Sequence, residues 1–375
     1  MAGIYIHIPF CRKACHYCNF HFSTQTQHIN AFVEALLIEI ELRENYISSP
    51  IQTIYFGGGT PSLLSAEQII TIVQKLQTNF DLTQLEEFTL EANPDDISSD
   101  NLLLWKNMGV NRLSLGIQSF QNEALAWMNR AHEVNQSHQA IQMAQDAGFN
   151  NISIDLIYGT PHYTKEHLLA DLKNIEEYKI PHVSCYALTV EEKTALHSMI
   201  EKGKMQNVAT EVQAEHFEII VDYLNNIGFE HYEISNFAKP GNRSKHNSSY
   251  WKGIPYVGLG PSAHSYNGTS RQWNVANNAL YMQSLEKREL TFEIEQLHQA
   301  TQYNEYMMIS LRCIEGFDLK YIESSFGKAY GEHTQSVIQK LESQDVLEQT
   351  NNGYCLNKSA KFLADGIAAE FFIVD

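Results

Sequence analysis

Cys11, Cys15 and Cys18 fall within eight residues, in the run Phe10-Cys11-Arg12-Lys13-Ala14-Cys15-His16-Tyr17-Cys18. Three thiolates on one short loop can each ligate one iron of a [4Fe–4S] cube. Protein-bound clusters usually have four cysteine ligands. A loop that supplies three leaves one iron open, and an open iron can chelate a small molecule.

Other thiol chemistry fits less well. Structural zinc favours four ligands, commonly in two close pairs. No second cysteine pair exists, so His16 or His21 would have to complete the set. The other three cysteines, Cys185, Cys313 and Cys355, are scattered, and the apolar start Met1–Ile8 lacks a basic n-region. Reduced thiols in the cytoplasm are expected rather than disulfides.

A second cluster of chemistry-bearing residues follows short β-rich runs. Gly57-Gly58-Gly59-Thr60-Pro61 lets a ligand approach bare backbone. It is not a P-loop, because no Gly-Lys-Ser/Thr follows. Glu91, Gln118 and Asp155 each lie on or just after a predicted strand, and Arg130 precedes Ala131-His132. A carboxylate suits ribose hydroxyls or an ammonium; an arginine suits a carboxylate.

The elements that must position these residues are legible in outline. Predicted strands run over 4–8, 53–56, 87–91, 112–117, 151–156 and 182–187, each closed by a turn signal. Helical periodicity fills intervals such as 29–46, 66–80 and 134–147. Strands alternating with helices predict βαβ units and a parallel sheet. Six units fall two short of a closed eight-stranded barrel, and chemistry in such barrels sits at the C-terminal strand ends. The cysteine loop follows the first strand directly. The expected fold is α/β: a partial (β/α)6 barrel over 1–235, a connecting segment over 236–285, and a smaller α+β winged-helix-like domain over 286–375. That last region carries 15 Asp/Glu against 8 Lys/Arg. It therefore reads as a lid or protein-contact module rather than a DNA reader.

The 375 residues are 43% hydrophobic with a formal net charge of −18. No run approaches the ~18 apolar residues of a membrane span. The acidity argues against nucleic acid as a partner, since phosphate backbones need Lys/Arg surfaces.

In order and spacing these motifs resemble the radical S-adenosylmethionine (SAM) superfamily. The resemblance implies that Cys11, Cys15 and Cys18 hold a [4Fe–4S] cluster whose open iron chelates SAM, and that an electron from the cluster splits SAM into methionine and a 5′-deoxyadenosyl radical. Within the superfamily the chain resembles coproporphyrinogen III dehydrogenases and the related HemW-type haem chaperones. By position, that subgroup implies SAM contacts from Tyr5, Tyr17, Gly58, Gly59, Thr60, Glu91, Gln118, Arg130 and Asp155.

Two departures separate the chain from the dehydrogenases. Their motif continues to a fourth cysteine two residues after the third, where this chain has Phe20. They also carry an extension ahead of the first-strand tyrosine, whereas this sequence starts four residues before Tyr5. Decarboxylation of coproporphyrinogen III is therefore not expected. A further departure is Gly159-Thr160-Pro161, where relatives commonly have Gly-Gln before the Thr.

The run His246-Asn247-Ser248-Ser249-Tyr250-Trp251 resembles the HNxxYW motif of the HemW group, associated there with haem. This implies haem binding by His246, Asn247, Tyr250 and Trp251, with the imidazole as axial ligand. The nearby Gly258-Leu259-Gly260-Pro261-Ser262-Ala263 fits a dinucleotide fingerprint only formally, because Pro261 interrupts it. The expectation is a cytoplasmic haem chaperone with cluster, SAM and haem, an electron donor, haem-acceptor proteins and a homodimer as possible partners. The alternatives are a dehydrogenase, a radical SAM enzyme of another substrate, and a cluster-bearing interaction protein that never turns over SAM.

Overall fold

A computed structural model describes residues 1–374. The chain divides into two compact units, Met1–His216 with Ser244–Glu295, and Phe217–Arg243 with the residues from Gln296 onward.

The first unit is built on six parallel strands: β1 (Ala2–Ile8), β2 (Ile51–Gly58), β3 (Glu87–Ala92), β4 (Arg112–Gln118), β5 (Ile152–Tyr158) and β6 (His182–Ala187). Neighbours in sequence are neighbours in the sheet, all paired in parallel. Helices α1 (Ile29–Leu42), α2 (Ala66–Asn79) and α3 (Ser99–Asn107) follow the first three strands. The short α4 (Asn122–Trp127) and α5 (Val134–Asp146) follow β4, and α6 (Lys165–Glu177) follows β5. The strands alternate apolar and polar positions, as in β4, where Leu113, Leu115 and Ile117 are interleaved with Arg112, Ser114 and Gln118. Ile4, Ile6, Phe56, Leu90, Leu113 and Ile154 are all fully buried. Start signals are explicit: Ser65 and Thr164 close capping boxes on α2 and α6.

β1 does not return to β6. Its free edge pairs in parallel with the strand Tyr256–Leu259, so the barrel stays open. The strand His264–Tyr266 then pairs antiparallel with Tyr256–Leu259 and with Ser270–Asn274. The expectation of a connecting segment over 236–285 is corrected here, because 244–285 extends the barrel sheet. Gly258 explains how. A Cβ there would lie 1.9 Å from the His264 carbonyl oxygen, so only glycine permits the pairing. At Gly260, with φ +97°, a Cβ would lie 2.4 Å from the His7 carbonyl oxygen. These glycines serve strand packing, not a phosphate.

The second unit carries helices at Gln299–Arg312, Leu319–Phe326 and Lys328–Glu342. Its three-stranded sheet has Gly353–Leu356 between Phe317–Asp318 and Leu347–Gln349. The expected hairpin around Asn351-Asn352-Gly353 is present. Tyr303, Met307, Phe317, Ile338 and Phe371 form the core of this winged-helix-like unit. The boundary expected at 235/236 moves, because 217–243 belongs to this unit. Ile234 packs on its core and Arg312 donates to Glu233 at 3.1 Å.

Candidate functional site

The cysteine loop leaves the end of β1 and crosses the C-terminal rim of the sheet. Its backbone is tied down by Cys11 N–H to Ser23 O (3.0 Å) and by His16 N–H to Met128 O (3.1 Å). All three thiols are free and half-buried. Thr60 Oγ1 donates to Cys11 Sγ at 3.5 Å, and Arg130 Nη1 donates to Cys15 Sγ at 3.4 Å. Burial pushes the Cys11 thiol up to about 11 and raises Cys18 as well. Iron that binds these sulfurs therefore displaces protons.

The donor set fits a cube better than a single ion. Among the described residues, no three His, Cys, Asp or Glu side chains converge on one ion position. A cube asks each cysteine to reach a different iron. His16 and His21, the candidates to complete a zinc site, are turned away. His16 Nδ1 donates to Trp127 O (3.0 Å), and His21 Nε2 lies 2.6 Å from Asn278 Oδ1.

A cavity of about 350 Å3 opens beside the cysteines. Its wall includes Cys11, Cys15, Tyr17, Cys18, Gly58, Gly59, Thr60, Glu91, Gln118, Arg130 and Asp155. Every residue expected to meet SAM is thus brought together, with the exception of Tyr5. Tyr5 sits behind the wall, its hydroxyl 3.2 Å from His7 Nδ1 and its ring packed toward Tyr55 and His246.

The glycine turn is needed for close approach. Gly58 has φ +101°, and a Cβ there would fall 2.4 Å from the His7 ring. A Cβ at Gly59 would fall 2.7 Å from two backbone carbonyls. Gln118 pays for its position in backbone strain, with φ +66° at a register shift between β4 and β5.

Two carboxylates face the cavity. Glu91 accepts from Tyr55 Oη (2.6 Å) and from Gly58 N–H (3.2 Å). Burial raises its pKa to about 7, with the charge of Asp155 adding to the rise. Asp155 accepts from Ser114 Oγ at 3.5 Å, and burial raises it to about 6. Arg130 donates from Nη2 to Asn93 Oδ1 (2.6 Å) and to Gly116 O (2.9 Å). Its buried Nε has no partner among the described residues. A buried guanidinium with a spare donor beside two poised carboxylates fits a ligand that carries both a carboxylate and an ammonium, as an amino acid does.

Sequence reasoning missed three members of this site. Asn93 links Arg130 to Thr60, to which its Nδ2 donates at 3.2 Å. Tyr55 holds Glu91. Arg112, 1% exposed inside the sheet, supplies the positive charge that opposes the rise of Glu91 and Asp155. An arginine at the start of a buried strand was the available signal.

The HNxxYW run does not line this cavity. It forms a short helix, Lys245–Trp251, whose N-terminus is capped by Ser244 and by Glu87. Glu87 accepts from Lys245 N–H and His246 N–H, both at 2.9 Å. His246 is 1% exposed. Its Nδ1 lies 2.8 Å from Thr53 Oγ1 and its Nε2 lies 2.8 Å from Tyr250 Oη. Its ring stacks on Tyr55 at 5.1 Å. Both ring nitrogens are thus engaged by hydroxyls, Thr53 from β2 and Tyr250 from the same helix. Asn247, Tyr250 and Trp251 are half-buried, and Tyr250 meets Tyr256 edge-on at 4.7 Å. His246 stacks on Tyr55, which in turn donates to Glu91 of the cavity wall.

An open parallel sheet with three cysteines after its first strand, a glycine turn after its second and a cavity between them defines a radical SAM protein. Comparison with known proteins agrees. Residues 5–175 match the Radical SAM superfamily and residues 297–363 match the HemN C-terminal domain. The chain is 37% identical to the heme chaperone HemW of Lactococcus lactis over 97% of both chains. It is 34% identical to the heme chaperone HemW of Bacillus subtilis over 99% of both. Its fold matches the coproporphyrinogen III oxidase HemN of Escherichia coli with a TM-score of 0.85, at 23% identity, over 99% of this chain and 89% of the other. The chain belongs to the HemW family.

Proposed function

We propose that this protein is a haem chaperone: it binds haem and hands it to acceptor proteins, with a [4Fe–4S] cluster and SAM as resident groups. The observation that carries the reading is the full-length similarity to HemW relatives, combined with a cysteine motif that ends at Cys18 and has Phe20 two residues on. Phe20 is 65% exposed on the cavity wall and puts a phenyl ring where the dehydrogenases have a thiol.

When bound, the cluster would supply an electron and an open iron for SAM. Cys11, Cys15 and Cys18 would hold it. Glu91 and Asp155 would accept from the ammonium and ribose hydroxyls of SAM, Arg130 would donate to its carboxylate, and the bare backbone of Gly58 and Gly59 would let the ligand lie close. Thr60 and Arg130 donate to the Cys11 and Cys15 sulfurs. Such hydrogen bonds would stabilise the more negative, reduced cluster and raise its potential. An electron donor and haem acceptors follow as partners. The absence of disulfides among six cysteines suits a reducing cytoplasm. No described helix is long and apolar enough to cross a membrane. The acidic second unit is proposed as a protein-contact module, with self-association as one use.

The test is anaerobic reconstitution with iron and sulfide, then incubation with SAM and reductant beside either haem or coproporphyrinogen III. The expected outcome is haem bound, recovered intact and passed to a haem-free acceptor, with coproporphyrinogen unchanged. Turnover of coproporphyrinogen to decarboxylated product would refute it.

A further inference from the structure

Helix α6 carries a carboxylate where its own pattern asks for an apolar residue. Leu168, Asp171, Leu172 and Ile175 fall at positions i, i+3, i+4 and i+7, and all four are buried. Asp171 is fully buried. Aspartate is almost never placed so unless it is paired. Among the described residues no cation forms an ion pair with it. Four neutral donors satisfy it instead: Ser119 Oγ (2.7 Å), Tyr163 Oη (2.7 Å) and Phe120 N–H (3.1 Å) on Oδ2, and Gln121 Nε2 (2.9 Å) on Oδ1. That matches the roughly four lone-pair sites of an ionised carboxylate.

Three of these donors belong to one turn, the run Ser119-Phe120-Gln121 directly after Gln118. Gln118 has φ +66°, and Ser119 N–H donates back to Ile117 O at 2.8 Å. This is a γ-turn of the rare, strained hand. Such a conformation persists only where its surroundings over-determine it. Asp171 does so by accepting from the two residues that follow Gln118. Ser119 Oγ also accepts from Gln121 N–H at 3.1 Å, which closes the turn on itself. The buried Phe120 ring packs on His138 at 5.2 Å and anchors the turn from its outer side. On the inner side, Gln118 is 8% exposed and lines the cavity beside the cysteines. Its side-chain amide makes no hydrogen bond among the described residues. An amide offers two donors and an acceptor, which suit the hydroxyl and carboxylate groups of a ligand.

Resting on the reading of this cavity as a SAM site, we propose that Asp171 is a positioning residue for SAM: it does not touch the ligand, and it holds the strained turn that aims the Gln118 amide into the cavity. Asp171 is not part of the cavity wall, so its effect on SAM passes through the turn. A Gln side chain free to leave the cavity would be ordered only when SAM arrives, and that entropy would be subtracted from affinity. A carboxylate that merely fastened α6 to the sheet would act equally through each of its donors. The turn makes them unequal. Ser119 is bonded next to Gln118, whereas Tyr163 reaches Asp171 from the loop after β5 that leads into α6 itself. Loss of the Ser119 hydroxyl loosens the turn. Loss of the Tyr163 hydroxyl leaves the turn bonded.

The test is SAM affinity by equilibrium dialysis on the cluster-loaded full chain, with iron content and thermal unfolding measured on the same samples. The variants are Gln118→Ala, Asp171→Asn, their combination, Ser119→Ala and Tyr163→Phe. Gln118→Ala and Asp171→Asn are each expected to weaken SAM about tenfold, the scale of one hydrogen bond, with iron content retained. The combination is expected to stay near tenfold, because both changes remove the same contact; independent effects would multiply to about a hundredfold and would overturn the proposal. Ser119→Ala should weaken SAM several-fold, whereas Tyr163→Phe should lower Tm and leave SAM affinity unchanged. Equal losses of affinity in Ser119→Ala and Tyr163→Phe, or wild-type affinity in Asp171→Asn, would overturn the role of Asp171 while leaving the SAM site intact. If Asp171→Asn does not fold, Ser119→Ala decides, and wild-type affinity there overturns the proposal. Wild-type affinity in Gln118→Ala would overturn it by removing Gln118 from the site. No SAM binding by wild type would overturn the reading of the cavity itself.

Discussion

Glu91 is the group whose ionisation the site should report. Its carboxyl is raised from 4.5 to about 7 by burial, and its neighbours Tyr55 and Gly58 lower it only in part. A group whose folded pKa lies above its unfolded value stabilises the fold fully below the unfolded pKa, and that contribution is lost as pH rises through the folded pKa. At 1.36 kcal/mol per unit, the full effect is about 3 kcal/mol, and about 2.5 kcal/mol of it is spread between pH 5 and pH 8. The perturbation is Glu91→Gln, which keeps the shape and removes the titration. The assay is thermal unfolding of the ligand-free protein across that range. Stability relative to wild type should shift in favour of the variant as pH rises, by roughly 5 °C in Tm for a unit of this size. SAM should show the mirror image. A ligand that needs the carboxylate ionised must displace its proton, so wild-type affinity should fall about tenfold from pH 8 to pH 6. The variant should be weak and flatter across the same range, with Asp155 leaving a residual slope below about 6. Parallel Tm curves for the two proteins would refute the reasoning, because Glu91 would then not be buried and strained in its charged form.

Other expectations follow from the same geometry. Cys11→Ala, Cys15→Ala and Cys18→Ala should each abolish the cluster, read as iron and sulfide content after reconstitution, whereas Cys313→Ala and Cys355→Ala should hold about four irons per chain. Arg130→Ala and Asp155→Ala should each weaken SAM at least tenfold by equilibrium dialysis while iron content persists, since each removes a charge-assisted contact. His246→Ala should cost about 3 kcal/mol in denaturant unfolding, because it opens a cavity and leaves the Thr53 and Tyr250 hydroxyls unpaired. It should also weaken SAM several-fold through Tyr55 and Glu91, and His246→Gln, which can still reach Tyr250, should restore part of both.

The barrel was legible because its strands carry their own signal. Runs such as Ile4–Ile8 and Ile152–Leu156 are β-rich, bounded by turns, and spaced by helical periods. The cysteine loop and glycine turn were legible because few other chemistries need that spacing. The fate of 244–285 was not. Its strands are three to five residues long, and the decisive pairing of Tyr256–Leu259 with β1 joins residues some 250 apart. Arg112 looked like any polar residue opening a strand, although tertiary packing buries it where its charge is felt by two carboxylates. His246 shows the sharpest limit. A motif reveals that an imidazole and a tyrosine sit one helical turn apart, but not that Thr53, from a strand almost 200 residues away, closes the other nitrogen.

The most direct measurement is an anaerobic titration of the reconstituted chain with ferric haem, with iron, bound SAM and bound haem counted on the same sample. The expected result is one saturable haem per chain alongside about four cluster irons and SAM that remains bound. A cluster-loaded, SAM-binding protein that takes up no haem would contradict the chaperone reading outright.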